Sequence, residues 1–324
     1  MSSGSKLALL TIVVAAAALL LSRYSPLGTA QRAADMKDRP ATQASTPATQ
    51  PMEQTLRVCA DPNNLPFSNR SGAGFENELA ELVGRALNKT VTYTWWPQRR
   101  GFIRNTVRAG LCDVVMGVPH EFEMLRTTRP YYRSSYVFVT QQARQLSIES
   151  FDDPRLATLR IGVHAIGDDY SNVPPVQVLA LRGHVDNIHG YSIYGDYSKA
   201  DPPRELIDAV ARDEVDVAIA WGPLAGYFAS RQNIPLELRV AQPDPLAASF
   251  PMSFSISMGV RRDDDALHAA LEHVLDTQAG EIRALLERYA VPVQPTPARS
   301  TPSQPTAVQP TGPRRTTHQA QEQP

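Results

Sequence analysis

The stretch that most constrains this chain is residues 56–119, where strand-like and helix-like patterns alternate. It opens with Leu56-Arg57-Val58-Cys59-Ala60-Asp61 and breaks at a polar turn, Pro62-Asn63-Asn64-Leu65-Pro66-Phe67. Phe75, Leu79, Leu82, Val83 and Ala86 then recur at i, i+4, i+7, i+8 and i+11, the apolar stripe of an amphipathic helix. Thr90-Val91-Thr92-Tyr93-Thr94-Trp95, rich in β-branched and aromatic residues, reads as a second strand. A helix carrying Phe102, Ile103, Thr106 and Val107 follows, then the apolar run Val114-Val115-Met116-Gly117-Val118. This βαβαβ order calls for an open parallel sheet. Ligands of such sheets sit beyond the carboxyl ends of the strands. Those ends carry Asn63, Asn64 and Phe67, then Trp95 to Arg100, with Trp96 and Arg99 between, then Gly117 to His120.

A second unit of the same kind begins near Arg160-Ile161-Gly162-Val163-His164. The Val176–Leu181 run and a helix with Leu206, Ile207, Val210 and Ala211 continue the alternation. Val215-Asp216-Val217-Ala218-Ile219-Ala220-Trp221-Gly222 then repeats the organisation seen at residues 113–117: an Asp, an apolar strand, a glycine. Ser253-Phe254-Ser255-Ile256-Ser257-Met258-Gly259-Val260 alternates with period 2 and returns the chain to the first unit. The expectation is an α/β fold of two lobes, residues 55–140 with 253–291 and residues 141–252, joined by two crossovers with a cleft between them. Ligand sites favour such interfaces, and the lobes can close as on a hinge. Trp221 would face that cleft from the second lobe.

The chain has 324 residues, enough for two medium lobes. A formal net charge of -1 gives no support for nucleic-acid binding, which calls for a basic excess. Lys6 before about 15 apolar residues fits a secretory signal better than a spanning helix of ~20. Residues 1–30 are therefore read as a signal peptide cut after Ala30, with an uncleaved N-terminal membrane anchor as the alternative. Either way the bulk of the chain is exported. Residues 31–54 read as a flexible linker and 292–324 as a disordered tail, both Pro/Thr/Gln-rich without apolar periodicity.

Cys59 and Cys112 are the two cysteines. They fall on the first strand and at the start of the third, which are neighbours if the strand order is 2-1-3. An exported pair so placed is expected to be oxidised; two buried free thiols are the alternative. The seven histidines show no metal-ligand spacing, and no metal or other cofactor is expected.

Pro66-Phe67-Ser68, Gly74-Phe75-Glu76-Asn77-Glu78-Leu79, Asp113 with Met116-Gly117, Pro130-Tyr131-Tyr132 and Tyr289-Ala290-Val291-Pro292 occur in this order. Together they resemble the type II periplasmic solute-binding proteins of family 3, which implies that fold. The run Tyr93-Thr94-Trp95-Trp96-Pro97-Gln98-Arg99-Arg100-Gly101-Phe102 is more particular. It is similar to the MxaJ/XoxJ-like, quinoprotein dehydrogenase-associated binding proteins of methanol oxidation clusters. That resemblance implies a non-enzymatic periplasmic accessory protein whose partners are a PQQ-dependent methanol or alcohol dehydrogenase and its cytochrome c. The competing reading is the substrate-binding component of an ABC importer for a small polar solute. Amino-acid-binding members of the wider family clamp the ligand carboxylate with an arginine about eight residues before the Pro-Tyr pair, a bidentate contact. Phe122 stands there in this chain, with Arg126 and Arg129 as the available substitutes. Arg129 and Tyr131 join the candidate set through that motif.

Trp95 and Trp96 can be read as core or as an aromatic anchor for a partner, since interfaces concentrate energy in Trp and Arg. Arg99 and Arg100 are either a solvated helix start or part of that anchor. Asn63 and Asn64 are turn residues or ligand donors.

Overall fold

The computed structural model describes residues 54–165, 173–192, 197 and 199–295. The expected signal or anchor, nearly all of the linker and most of the tail lie outside the described residues. Among the described residues no helix is long and apolar enough to cross a membrane.

Strand β1 (Thr55–Ala60) is central and its apolar side chains are buried. The short strands β2 (Asn63–Asn64) and β3 (Ser68–Asn69) pair as a hairpin and lead into helix α1 (Phe75–Ala86). Gly74 precedes α1 where a Cβ would collide with the Phe67 carbonyl, so the close approach of turn and helix requires glycine there. Asn77 Oδ1 accepts from the backbone N–H of Asn69 and Gly74, tying hairpin to helix. Ala80 and Gly84 complete the buried face of α1 with Phe75, Leu79, Leu82 and Val83; Ala86, counted into the stripe from sequence, is exposed.

Strands β4 (Thr90–Trp95) and β5 (Val114–Pro119) flank β1 in parallel, so the order 2-1-3 holds. Between them α2 (Phe102–Asn105) is a single turn and not the longer helix expected from sequence. Thr106 Oγ1 donates to the Phe102 carbonyl at 2.6 Å, and the chain leaves helical geometry at that residue. Strand β6 (Arg126–Thr127) follows, then β7 (Tyr132–Gln141).

The ten residues of β7 serve both lobes. Residues 132–135 pair with β12 (Ser253–Val260), the antiparallel neighbour of β5. Residues 136–139 pair with β10 (Val217–Trp221), and 137–141 with β11 (Leu236–Val240). The second lobe continues β10-β8-β9 in parallel, with β8 (Ile161–Ala165) and β9 (Ile188–Ser192). Helices α3 (Pro174–Leu181), α4 (Glu205–Ala211) and α5 (Gly222–Ala229) complete it. The Val176–Leu181 run is thus helical, entered at Pro174, where a missing N–H costs a helix nothing. Residues 241–252 lead back to β12 and to helices α6 (Asp265–Thr277) and α7 (Ala279–Arg288). Asp264 caps α6, its carboxylate accepting from Leu267 N–H at 3.1 Å.

The two lobes repeat one device. In the first, Arg57 holds Asp113 through its backbone N–H, Nε and Nη2, and its Nη1 donates to the Gly110 carbonyl. In the second, Arg160 holds Asp216 through the same three groups, and its Nη1 donates to the Asp213 carbonyl. The spacings, 56 residues to the carboxylate and 53 to the carbonyl, are identical. Each pair ties the start of a lobe's first strand to the entry of its third. Arg160 leads in holding the Asp216 carboxyl well below the usual carboxylate range. At Asp113, burial acts the other way and is outweighed by Arg57.

Cys59 and Cys112 form a disulfide, with Cα atoms 5.6 Å apart, inside a small apolar cluster with Phe102, Ile103, Val107 and Val115. The second lobe carries Gly162 and Val215 in the corresponding places and has no such link.

The C-terminal segment also bridges the lobes. Tyr289 donates to Glu78 Oε1 and stacks on Tyr227 of α5, ring centroids 5.6 Å apart. Ser134 Oγ donates to the Pro292 carbonyl, and Gln294 N–H to the Arg133 carbonyl. Residues 292–294, read from sequence as the start of the tail, are therefore held against β7, because the backbone at the crossover offers them partners.

Candidate functional site

The strand ends of both lobes converge on a cavity of about 230 Å³. The first lobe contributes Asn64 from β2, Phe67 from the following turn, Glu76 from the first turn of α1, Gln98 from the loop after β4, and Gly117 from β5. The crossover strand β7 supplies Tyr132 and Tyr136. The second lobe supplies His164 from β8 and Trp221 from β10. Of the residues singled out from sequence, Asn64, Phe67, Gly117 and Trp221 are brought together here.

The cavity is aromatic with a few polar groups. Trp221 packs edge-on against Tyr136 and Phe254, at 5.4 and 5.9 Å between ring centroids. Phe67 lies 5.5 Å from Phe75. Gly117 leaves the space that the Glu76 carboxyl occupies, since a Cβ there would overlap Glu76 Oε1. Burial pushes the Glu76 carboxyl up to about 8, so at neutral pH it is mostly the neutral acid. Burial also lowers His164 to about 4, and its neutral ring donates from Nε2 to the Pro203 carbonyl at 3.3 Å. Tyr132 is driven well above its ordinary value, by burial first and then by Glu76. Asn64 Nδ2 donates to Gln98 Oε1 at 3.1 Å, whereas Asn64 Oδ1 is buried without a hydrogen-bond partner. No Arg or Lys among the described residues lines the cavity.

The remaining candidates lie elsewhere. Asn63 points outward, and its Nδ2 donates to the Lys199 carbonyl of the second lobe at 2.8 Å. Trp95 stacks on Tyr93 at 4.7 Å with the Arg70 guanidinium over its ring, a packing role on the sheet. Arg99 lies 5.9 Å from the Tyr197 ring, and Arg100 is exposed. Trp96 is 39% exposed on the same rim. Arg129 is drawn to α6, its N–H bonding Glu272 and its guanidinium Asp276, so it does not reach the cleft. Arg126 pairs with Asp265 on the same helix. Phe122 packs beside the disulfide cluster. Tyr131 is half-buried against Tyr132, at 5.0 Å between rings, and borders a different cavity beneath α6 and α7. Neither substitute arginine replaces a carboxylate clamp, because the acids of α6 hold both.

Sequence reasoning missed Glu76, Tyr132, Tyr136 and Asp61, and it placed Gln98 at a strand end without singling it out. Asp61 joins the lobes: its Oδ2 accepts from Tyr197 O–H and Gln98 N–H, and its Oδ1 from Asn63 N–H. Its signal was present, a carboxylate closing the first strand at its carboxyl end. Glu76 had the same signal, in the first turn of the helix that leaves that end.

Two α/β lobes, crossed by β7 and by the return to β12 and closing on an aromatic cleft, define the type II periplasmic binding protein fold. No profile of a known protein family matches the chain. The protein MoxJ of Methylorubrum extorquens is 31% identical over 274 residues, 81% of this chain and 89% of that protein. The chain belongs to the MoxJ family. The crystal structure of the periplasmic binding protein XoxJ from Methylobacterium extorquens AM1 is 34% identical, with a TM-score of 0.60 over 74% of this chain and all of that one. That of MxaJ from Methlophaga aminisulfidivorans, 23% identical with a TM-score of 0.63 over the same share, shares the fold.

Proposed function

We propose that this protein is a periplasmic accessory protein that assists a PQQ-dependent methanol or alcohol dehydrogenase in methanol oxidation by binding the enzyme or a segment of it. The observation that carries this reading is membership of the MoxJ family together with the Trp95–Phe102 run, which presents Trp96 and Arg100 to solvent beside the cleft. A large aromatic and a planar cation, both exposed within one short segment, are the residue types in which interfaces concentrate energy. Trp95, packed on Tyr93, would hold the rim in shape, and Arg99 sits over Tyr197 where the second lobe meets it. The associated cytochrome c is a second partner on this reading. The chemistry is left to the partner enzyme, and this protein acts by binding.

The receptor reading is favoured by a different observation, the unpaired Asn64 Oδ1 inside the cleft. It would make the chain the binding component of an importer for a small solute. Rim variants separate the two. Replacing Trp96 or Arg100 by Ala should weaken dehydrogenase co-purification by about 2 kcal/mol of binding free energy while circular dichroism and melting stay at parental values. Folded variants that support the dehydrogenase as well as the parent does would remove this rim as the docking surface.

A further inference from the structure

Among its described residues, the cleft offers acceptors without offering an Arg or Lys. Asn64 Oδ1 is buried and has no partner, in a side chain only 4% exposed. Its own Nδ2 is already committed to Gln98. The Glu76 carboxyl faces the same cavity, over Gly117, and no described residue donates a hydrogen bond to it. A buried acceptor left unpaired costs free energy, so Asn64 Oδ1 calls for a donor from outside the protein, and the Glu76 carboxyl facing the cavity can take a second contact from the same ligand. The walls around them are the aromatic rings of Phe67, Tyr132, Tyr136 and Trp221, whose faces attract cations. With no Arg or Lys among the described lining residues, a carboxylate or phosphate would enter uncompensated. The volume, about 230 Å³, lies below the roughly 300–1,000 Å³ of pockets for drug-sized ligands.

We propose that the cleft binds a small alkylammonium ion that retains N–H groups, one N–H donated to Asn64 Oδ1, the charge set against Glu76 and the alkyl end against the aromatic wall. A quaternary ion satisfies the rings but cannot donate. A neutral alcohol donates but brings no charge for Glu76. This assignment is independent of the rim and of the dehydrogenase reading.

Binding a cation ionises Glu76, which gives the interaction a proton signature. The titratable groups facing Glu76 are Tyr131 and Tyr132, neutral throughout the useful range, and His164 across the cavity, neutral above about pH 4. Glu76 is therefore the one among these that releases a proton on binding between pH 6 and 8. Affinity should rise close to tenfold per pH unit until it levels near pH 8.

Isothermal titration with propylammonium tests this in the unmodified full-length protein. The expected result is saturable binding, with heats in two buffers of different ionisation enthalpy that report close to one proton released per ligand at pH 6.5. Tetramethylammonium and propanol should each bind at least tenfold more weakly, and propionate should not bind. Glu76→Gln, close in shape and checked by melting, should lose at least tenfold in affinity and all proton release. Leu246→Ala, exposed and outside the cavity lining, should titrate like the parent. The assignment is overturned by any of four results: no saturable propylammonium heat at millimolar concentration, binding without proton release, equal binding of propionate, or loss of binding in Leu246→Ala.

Discussion

Reducing the Cys59–Cys112 bond perturbs the first lobe without adding or removing a side chain, which makes its cost calculable. The bond joins residues separated by 53 positions. Cross-linking a loop of that length removes about 14 cal/mol/K from the unfolded chain, or about 4 kcal/mol at 25 °C. The native state gives little back on reduction: Cys59 and Cys112 are buried among Phe102, Ile103 and Val107, and two thiols fill the same space. The first and third strands also remain tied by Arg57 and Asp113, so the folded lobe should keep its register. The effect therefore belongs to the unfolded state. Guanidinium unfolding of the oxidised protein, and of protein held reduced throughout, should show a midpoint shift worth about 3–4 kcal/mol. The reduced form should also show a steeper denaturant dependence, because its unfolded chain exposes more surface. Equal stability within about 1 kcal/mol, the usual spread of such extrapolations, would refute the loop-entropy reasoning. So would mass spectrometry finding both thiols free in the exported protein.

Calorimetry with the common free amino acids should give no tight binding, because Phe122, Arg126 and Arg129 all lie outside the cleft and no Arg or Lys among the described residues lines it. A micromolar titration with any of them would put the receptor reading first. Glu76 also sets a pH dependence of stability. Its folded pKa, about 8, lies above its ordinary value of 4.5, so its contribution is full below about pH 4.5 and is lost as pH rises through 8. Melting temperature should fall across that window in the parent and stay flatter in Glu76→Gln, and parallel profiles would show that Glu76 is not held as the acid.

The β1–α1–β4 unit and its continuation to β5 could be read from residue patterns because their information is local. Apolar periodicity separates strand from helix, and Gly, Pro and Asn mark the turns. The order 2-1-3 follows from the chirality and short connections of such units, and with it the meeting of Cys59 and Cys112. The strand ends that line the cavity follow from the same rule, which places Asn64, Phe67, Gly117 and Trp221 there. The single turn of α2 was not legible, since an apolar period is satisfied equally by a helix and by the looser turns that bury Thr106 and Val107.

What local pattern could not supply is which side chain of a strand end faces the cleft and which charges meet across the chain. Trp95 and Trp96 are adjacent, and side chains alternate about a strand, so one stacks on Tyr93 and the other is turned to solvent. Arg129 finds Glu272 and Asp276 about 145 residues away by number, through a helix that returns to the first lobe only after the second is complete. Glu76 becomes a buried acid because Gly117, on another strand, leaves room for it. The composition of each element was decided by residues near one another in sequence. The chemistry of the cleft was decided by tertiary packing, because burial and pairing are properties of neighbours in space.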